Sequence, residues 1–300
     1  MDLSGTIVPM ATPTNRCSGE INEKAIERFT HALIEGGVHG LFPGSSIGEF
    51  SSLTNEQNRT VIEMVSTTAA GSVAIFAGCG GTSIKDVTEN IDAASGAGAD
   101  VAVVVAPYYL NTTQSGLETF FHTIANRASL PVVLYNIPSL TGNALEIQTV
   151  ETLAEHENIV GLKDTSGDLT YHYRLNERTD DDFAIFQGAT GLAAASLELG
   201  SDGIIAGPAN VFPEYLSRLY DAHQADEYDI VAYLMKHVVA PMVSATDDLP
   251  TAAGIKHLVT LHTTDIGDPL PPLPKLTQRE QDELESIYER VITGIESGHI

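Results

Sequence analysis

Apolar positions along the chain follow two alternating periods. Short β-rich runs occur at Gly5–Pro9, Gly40–Gly44, Val73–Gly78, Val101–Pro107, Pro131–Asn136, Ile159–Lys163, Phe183–Gly188 and Gly203–Ala206; each has the length of a strand. Between them the apolar residues recur at helical spacing. In Asn22–Glu35, for example, Ala25, Phe29, Leu33 and Ile34 share one face. Thr54-Asn55-Glu56-Gln57 carries a capping-box signature and opens a second helix. Eight strand–helix units in succession predict an α/β protein with a closed parallel (β/α)8 TIM barrel. The alternative, an open dinucleotide-binding sheet, expects Gly-x-Gly-x-x-Gly after the first strand, and none is present.

After Gln224 the alternation stops. Tyr228–Val243, Thr251–Thr263 and Thr277–Ser297 read as helices, with the proline-rich Asp268–Pro274 before the last. The predicted organisation is therefore a barrel over residues 1–224 and a helical C-terminal extension over 225–300, with no flexible linker between them. No internal repeat beyond the βα unit and no low-complexity segment is visible.

Composition agrees with a single large core: 300 residues fit one barrel plus an appendage, and 43% are hydrophobic. No apolar run approaches the ~18 residues that span a bilayer. The opening Met-Asp-Leu-Ser-Gly-Thr lacks the basic and apolar regions of an export signal, so a soluble, cytoplasmic protein is expected. Two cysteines, Cys17 and Cys79, make neither a disulfide framework nor a metal spacing.

Charge changes the picture further. Forty acidic residues face fifteen basic ones, a net charge of −25. An acidic mesophilic surface is one reading. The other is a halophile's cytoplasm near molar salt, where a Debye length of ~3 Å screens self-repulsion; acids spread along the whole chain favour it. Nucleic acid and anionic membranes are excluded as partners by the same charge.

Barrel enzymes place their chemistry at the C-terminal ends of strands. Those ends are Gly44-Ser45-Ser46-Ile47-Gly48-Glu49, Pro107-Tyr108-Tyr109, Tyr135-Asn136-Ile137-Pro138, Lys163-Asp164-Thr165, Gly188 and Ile205-Ala206-Gly207. Lys163 ends an apolar run in a chain with only six lysines. A strand-end lysine can snorkel to water or pair with its neighbour, here Asp164. Lysine amines desolvated in a barrel mouth instead become nucleophiles toward ketones, and the resulting iminium draws electrons from the adjacent carbon. Tyr135, at the end of the preceding strand, can reach the same space as a proton shuttle or serve as a packing aromatic. Backbone amides of the Ser46–Gly48 turn can hold a carboxylate.

These motifs, with Thr12-Pro13, Leu134–Pro138, Gly161–Asp164 and Gly203-Ile204-Ile205, resemble the dihydrodipicolinate synthase / N-acetylneuraminate lyase family of class I pyruvate-dependent enzymes. The resemblance runs from Gly5 to about Ala222 and more weakly into the tail. It implies that Lys163 forms the Schiff base and that Tyr135 moves the proton. It also implies that Ser46 links Tyr135 to Tyr109, a residue delivered by a neighbouring subunit in a homotetramer built as a dimer of dimers. Gly188 and Ile205 would lie against the pyruvyl group. Ser46-Ile47 stand where the family has a hydroxyl pair if Glu49 is held in register; a one-residue slip makes the pair Ser45-Ser46.

Leu140 stands where synthases of the diaminopimelate pathway carry an arginine for the aldehyde's carboxylate. Its presence points instead to an aldolase cleaving 2-keto-3-deoxygluconate, or its 6-phosphate, to pyruvate and glyceraldehyde or its 3-phosphate. 4-Hydroxy-tetrahydrodipicolinate synthase and a keto-deoxy sugar acid dehydratase are the alternatives. A binding protein that kept the barrel without catalysis is disfavoured, because Lys163 and Tyr135 are both present. The substrate is expected to be a small keto acid, with no cofactor and no metal. His122, His156 and His172 are read as surface or packing residues.

Overall fold

The structure, a computed structural model, describes residues 3–16, 18–246 and 249–297; Cys17 lies outside the described residues. Eight parallel strands, β1 (Gly5–Val8), β2 (Gly40–Leu41), β3 (Ala74–Gly78), β4 (Val101–Val105), β5 (Val132–Asn136), β6 (Ile159–Asp164), β7 (Ala184–Gln187) and β8 (Gly203–Ile205), each pair with the next. Gly5↔Gly203 and Ile7↔Ile205 pair the last strand with the first and close the barrel. A helix follows every strand: α1 (Glu23–Glu35), α2 (Asn55–Ala69), α3 (Ile84–Gly96), α4 (Gln114–Ala125), α5 (Ile147–Ala154), α6 (Leu169–Arg178), α7 (Ala193–Glu198) and α8 (Pro213–Gln224). Thr54 caps α2 with its hydroxyl on Gln57 N, and Gln57 returns the bond to Thr54 N.

Alternation along each strand sorts the side chains into two layers. Val8, Leu41, Ala77, Val104, Leu134, Leu162 and Ile204 point outward into the packing against the helices. Ile7, Phe42, Phe76, Val103, Val133, Tyr135, Phe186 and Ile205 fill the barrel, with Phe76 and Phe186 edge to face at 5.8 Å. The interior is thus a packed plug whose upper layer is Tyr135 and its neighbours.

The extension consists of α9 (Tyr228–Leu234), a wide turn over Met235–Val239, α10 (Ala240–Ser244), α11 (Thr251–His262) and α12 (Gln278–Ser297). The sequence pattern predicts one continuous helix over Tyr228–Val243. A π-turn interrupts it, with Ala240 N bonding back to Met235 O. Pro241 explains the difference: it has no N–H, and its ring would clash with the carbonyl four residues earlier in an unbroken α-helix. Among the described residues no helix is long and apolar enough to cross a membrane.

Candidate active site

Strand register decides what meets at the barrel mouth. Tyr135 and Lys163 are partners across β5 and β6, as are Asn136 and Asp164 one residue further on. The first pair therefore points into the barrel and the second toward the helices. Lys163 and Tyr135 are each 4% exposed. Lys163 Nζ lies 4.0 Å from the centre of the Tyr135 ring and 5.2 Å from that of Phe42. Amine and phenol share one pocket.

Asp164 does not neutralise that amine. Its carboxylate, buried on the outer side of the sheet, accepts from Asn136 Nδ2, Ser166 N and Ser166 Oγ, each at 3.0 Å. His172 completes the network, its Nδ1 3.4 Å from Asp164 and its Nε2 2.6 Å from Ser201 Oγ. Burial forces these polar groups to satisfy one another. The network fixes the strand ends behind Tyr135 and Lys163 without entering the pocket.

The β2–α2 loop faces the pair. Gly44 (φ +71°) and Glu49 (φ 60°) both take the left-handed conformation, which folds the loop back over the strand ends. Ser45 is consumed in building it: its hydroxyl accepts from Gly48 N at 3.0 Å and donates to Met10 O at 3.5 Å. Thr12 Oγ1 holds the Gly48 carbonyl at 2.6 Å. Ser46 and Ile47 are left facing the cavity.

That cavity, of about 650 Å³, has Lys163, Tyr135, Ser46, Ile47, Leu140, Thr165, Gly188 and Ile205 on its barrel side. Such a volume suits a small-molecule ligand. Gly188 keeps it open, since a Cβ there would stand 2.1 Å from Thr165 Oγ1 and 3.0 Å from Lys163 Cε. The other wall comes from the extension, through Val243, Thr246, Leu249, Thr251, Ala252 and Ile255. Two of the residues singled out from sequence stand apart. Ser45 is buried beneath the loop, and Tyr109, 91% exposed with φ 79°, is not among the residues that line its own chain's cavity.

Sequence reasoning missed the extension's share of the site. Thr246, in the turn after α10, and Thr251, at the start of α11, carry no local signal, because the extension reads only as packing surface. Thr165 was more legible, two residues after Lys163; its buried Oγ1 has no hydrogen-bond partner among the described residues. Cys79 is fully buried, which pushes its thiol above the ordinary range and keeps it unreactive.

The geometry performs a recognisable task. A buried amine without a carboxylate partner among the described residues can add to a ketone, and a phenol within the same pocket can carry protons. Uncommitted hydroxyls and loop amides are available to oxygen-rich ligands.

Comparison with known proteins places this arrangement. A sequence profile described as the dihydrodipicolinate synthetase family matches residues 2–291. A 4-hydroxy-tetrahydrodipicolinate synthase from Methanopyrus kandleri is 34% identical over 287 residues, covering 94% of this chain and 93% of the relative. The crystal structure of a dihydrodipicolinate synthase from Bacillus anthracis superposes with a TM-score of 0.93 at 28% identity, covering 96% of this chain and 98% of that one. A prophage protein of the dihydrodipicolinic acid synthase family from E. coli K12, solved in complex with pyruvate, gives 0.91 at 28% identity, covering 96% and 98%.

These likenesses correct the expected substrate. Relatives at 30–35% identity bear the name 4-hydroxy-tetrahydrodipicolinate synthase, against the expectation of a 2-keto-3-deoxygluconate or 2-keto-3-deoxy-6-phosphogluconate aldolase. The structure supplies a physical reason. Leu140 is 67% exposed, at the rim of the cavity. The same cavity is lined by Ser46, Thr165 and Thr251, whose hydroxyls can meet a carboxylate, so the lack of an arginine at this one rim position does not decide the substrate.

Proposed function

Because the chain belongs to the dihydrodipicolinate synthetase family, whose members are class I lyases acting through a lysine imine of pyruvate, we propose that it condenses pyruvate with aspartate semialdehyde. This is the 4-hydroxy-tetrahydrodipicolinate synthase reaction. The observation that carries the reading is the Lys163 amine held 4.0 Å over the Tyr135 ring, in a chain related over nearly its whole length to such synthases.

In this scheme Lys163 Nζ adds to C2 of pyruvate, and loss of one water leaves the iminium. Tyr135 carries the protons of that dehydration. A proton then passes from C3 to Tyr135; the enamine carbon attacks the aldehyde carbon to form the new C–C bond, the C=O π bond opens, and the aldehyde oxygen takes up that proton as the hydroxyl. Finally the substrate's own amino group adds at C2, closes the ring and expels Lys163 as the free amine. The Ser46 and Ile47 amides of the turn receive the pyruvyl carboxylate, since Gly48 N is already held by Ser45 Oγ. Gly188 and Ile205 lie along the pyruvyl group, and the hydroxyls of Thr165, Thr246 and Thr251 are placed for the polar end of the aldehyde.

Consumption of pyruvate with aspartate semialdehyde, followed in molar salt, tests the substrate. The expected result is turnover that yields a cyclic product reducible by a dihydrodipicolinate reductase. Pyruvate release from a keto-deoxy sugar acid, with no consumption of the semialdehyde, would reverse the assignment. The same assay checks the salt reading: activity should fall when salt is removed, as the unscreened net charge of −25 repels itself.

The proposal extends to assembly and setting, a cytoplasmic homotetramer formed as a dimer of dimers. Tyr109 supports it, as an exposed aromatic in a strained backbone conformation; strain of this kind persists where function needs it. Beside it Leu110 and Leu140 are also exposed, and Asn143 braces the loop by donating to Pro107 O (2.7 Å) and Leu110 O (3.1 Å). Tyr109 serves the relay through Ser46 only when a second subunit delivers it. Sedimentation in molar salt should show a tetramer, or at least a dimer. A fully active monomer would remove Tyr109 from the site.

A further inference from the structure

Outside the imine site the described residues hold a second buried lysine, Lys256 on α11. Its Nζ lies 2.5 Å from Glu49 Oε2, with both side chains shielded from solvent, and it donates to Asp268 O at 2.9 Å. The other carboxylate oxygen, Oε1, accepts from Leu270 N at 2.5 Å. Burial lowers the Lys256 pKa while Glu49 opposes that shift, as expected for a desolvated ion pair. Such pairs contribute little net stability compared with apolar residues of the same size; what they can impose is geometry.

Here the geometry belongs to the site. Glu49 ends the loop that presents Ser46 and Ile47, and its N–H closes that turn on Ser46 O at 3.1 Å. Its left-handed backbone, φ 60° and ψ 33°, is held in place by the buried carboxylate. On the other side, Lys256 directly follows Ile255, which lines the cavity together with Thr251 and Ala252. One ion pair thus joins the two walls of the pocket, from parts of the chain far apart in sequence.

We propose that Glu49 and Lys256 are positioning residues: their ion pair sets the Ser46–Gly48 turn in the shape that receives the pyruvyl carboxylate, and docks α11 against it. Neither touches the substrate. The inference rests on Lys163 as the imine-forming residue but not on the identity of the aldehyde, so the test uses pyruvate alone.

The readout is the pyruvate concentration that half-saturates borohydride trapping, with the adduct located by peptide mapping. Lys256→Met, Glu49→Gln and the apolar double variant Glu49→Leu/Lys256→Met are compared with wild type. The expected result is trapping on Lys163 throughout, with half-saturation raised about tenfold or more in each variant, the scale of a small misplacement of binding groups. The double variant should recover thermal stability without recovering half-saturation, which a purely structural pair would not do. Wild-type half-saturation in the stable double variant would overturn the proposal. Should that variant fail to fold, unchanged half-saturation in Glu49→Gln, which keeps shape and loses only charge, overturns it equally. An adduct on Lys256 would make that residue a nucleophile and end the positioning role.

Discussion

Lys163→Ala is expected to abolish turnover, by about 10⁴-fold or more, the scale on which enzymes lose rate with their covalent nucleophile. The reason is electronic. Without the iminium, the electrons left when the C3 proton departs must rest on a ketone oxygen, and the site offers neutral hydroxyls and amides there. No other lysine lines the cavity among the described residues, and Lys256 is held in its ion pair with Glu49. The fold should survive the substitution, because no carboxylate among the described residues depends on the Lys163 amine. Unchanged thermal unfolding beside lost activity would separate chemistry from stability. Appreciable turnover by a well-folded Lys163→Ala protein would contradict the imine route.

Tyr135→Phe should lower kcat by about 10²–10⁴, the range for removing a positioned acid–base group. The ring fills the upper layer of the barrel plug, and phenylalanine keeps that packing, so stability should change little. Imine formation should persist at a reduced rate, since the nucleophile and its apolar surroundings remain. The variant is therefore expected to trap pyruvate on Lys163 while turning over poorly. Near-normal kcat would show that water or another hydroxyl carries the proton.

The same two residues show what the sequence makes legible. All eight strands were readable because short β-rich runs recur at a regular spacing, and a parallel barrel buries both faces of each. Lys163 and Tyr135 stood out because polar groups ending such runs must emerge at the barrel mouth. What failed to show depends on the third dimension. Ser45 and Ser46 are adjacent and chemically alike, and only the folded loop assigns one hydroxyl to Gly48 N and Met10 O and the other to the cavity. Leu140 misleads because one position says nothing of the hydroxyls, such as those of Thr165 and Thr251, that folding brings to the same cavity. Lys256 did carry a signal, a lysine inside Ala252-Ala253-Gly254-Ile255-Lys256-His257-Leu258-Val259 in a lysine-poor chain. Its partner Glu49 could not be named before the extension was seen to fold over the barrel. The helical tail was legible as helices and illegible as a wall of the site, because residues such as Thr246 and Thr251 meet the barrel only through tertiary packing.

The central claim is that Lys163 forms the imine with pyruvate. Peptide mapping of the protein after incubation with pyruvate and reduction with borohydride tests it most directly. The account predicts a reduced pyruvyl adduct on Lys163, absent without pyruvate and absent from Lys163→Ala. An adduct on Lys85 or Lys256, or no adduct at saturating pyruvate, would contradict it.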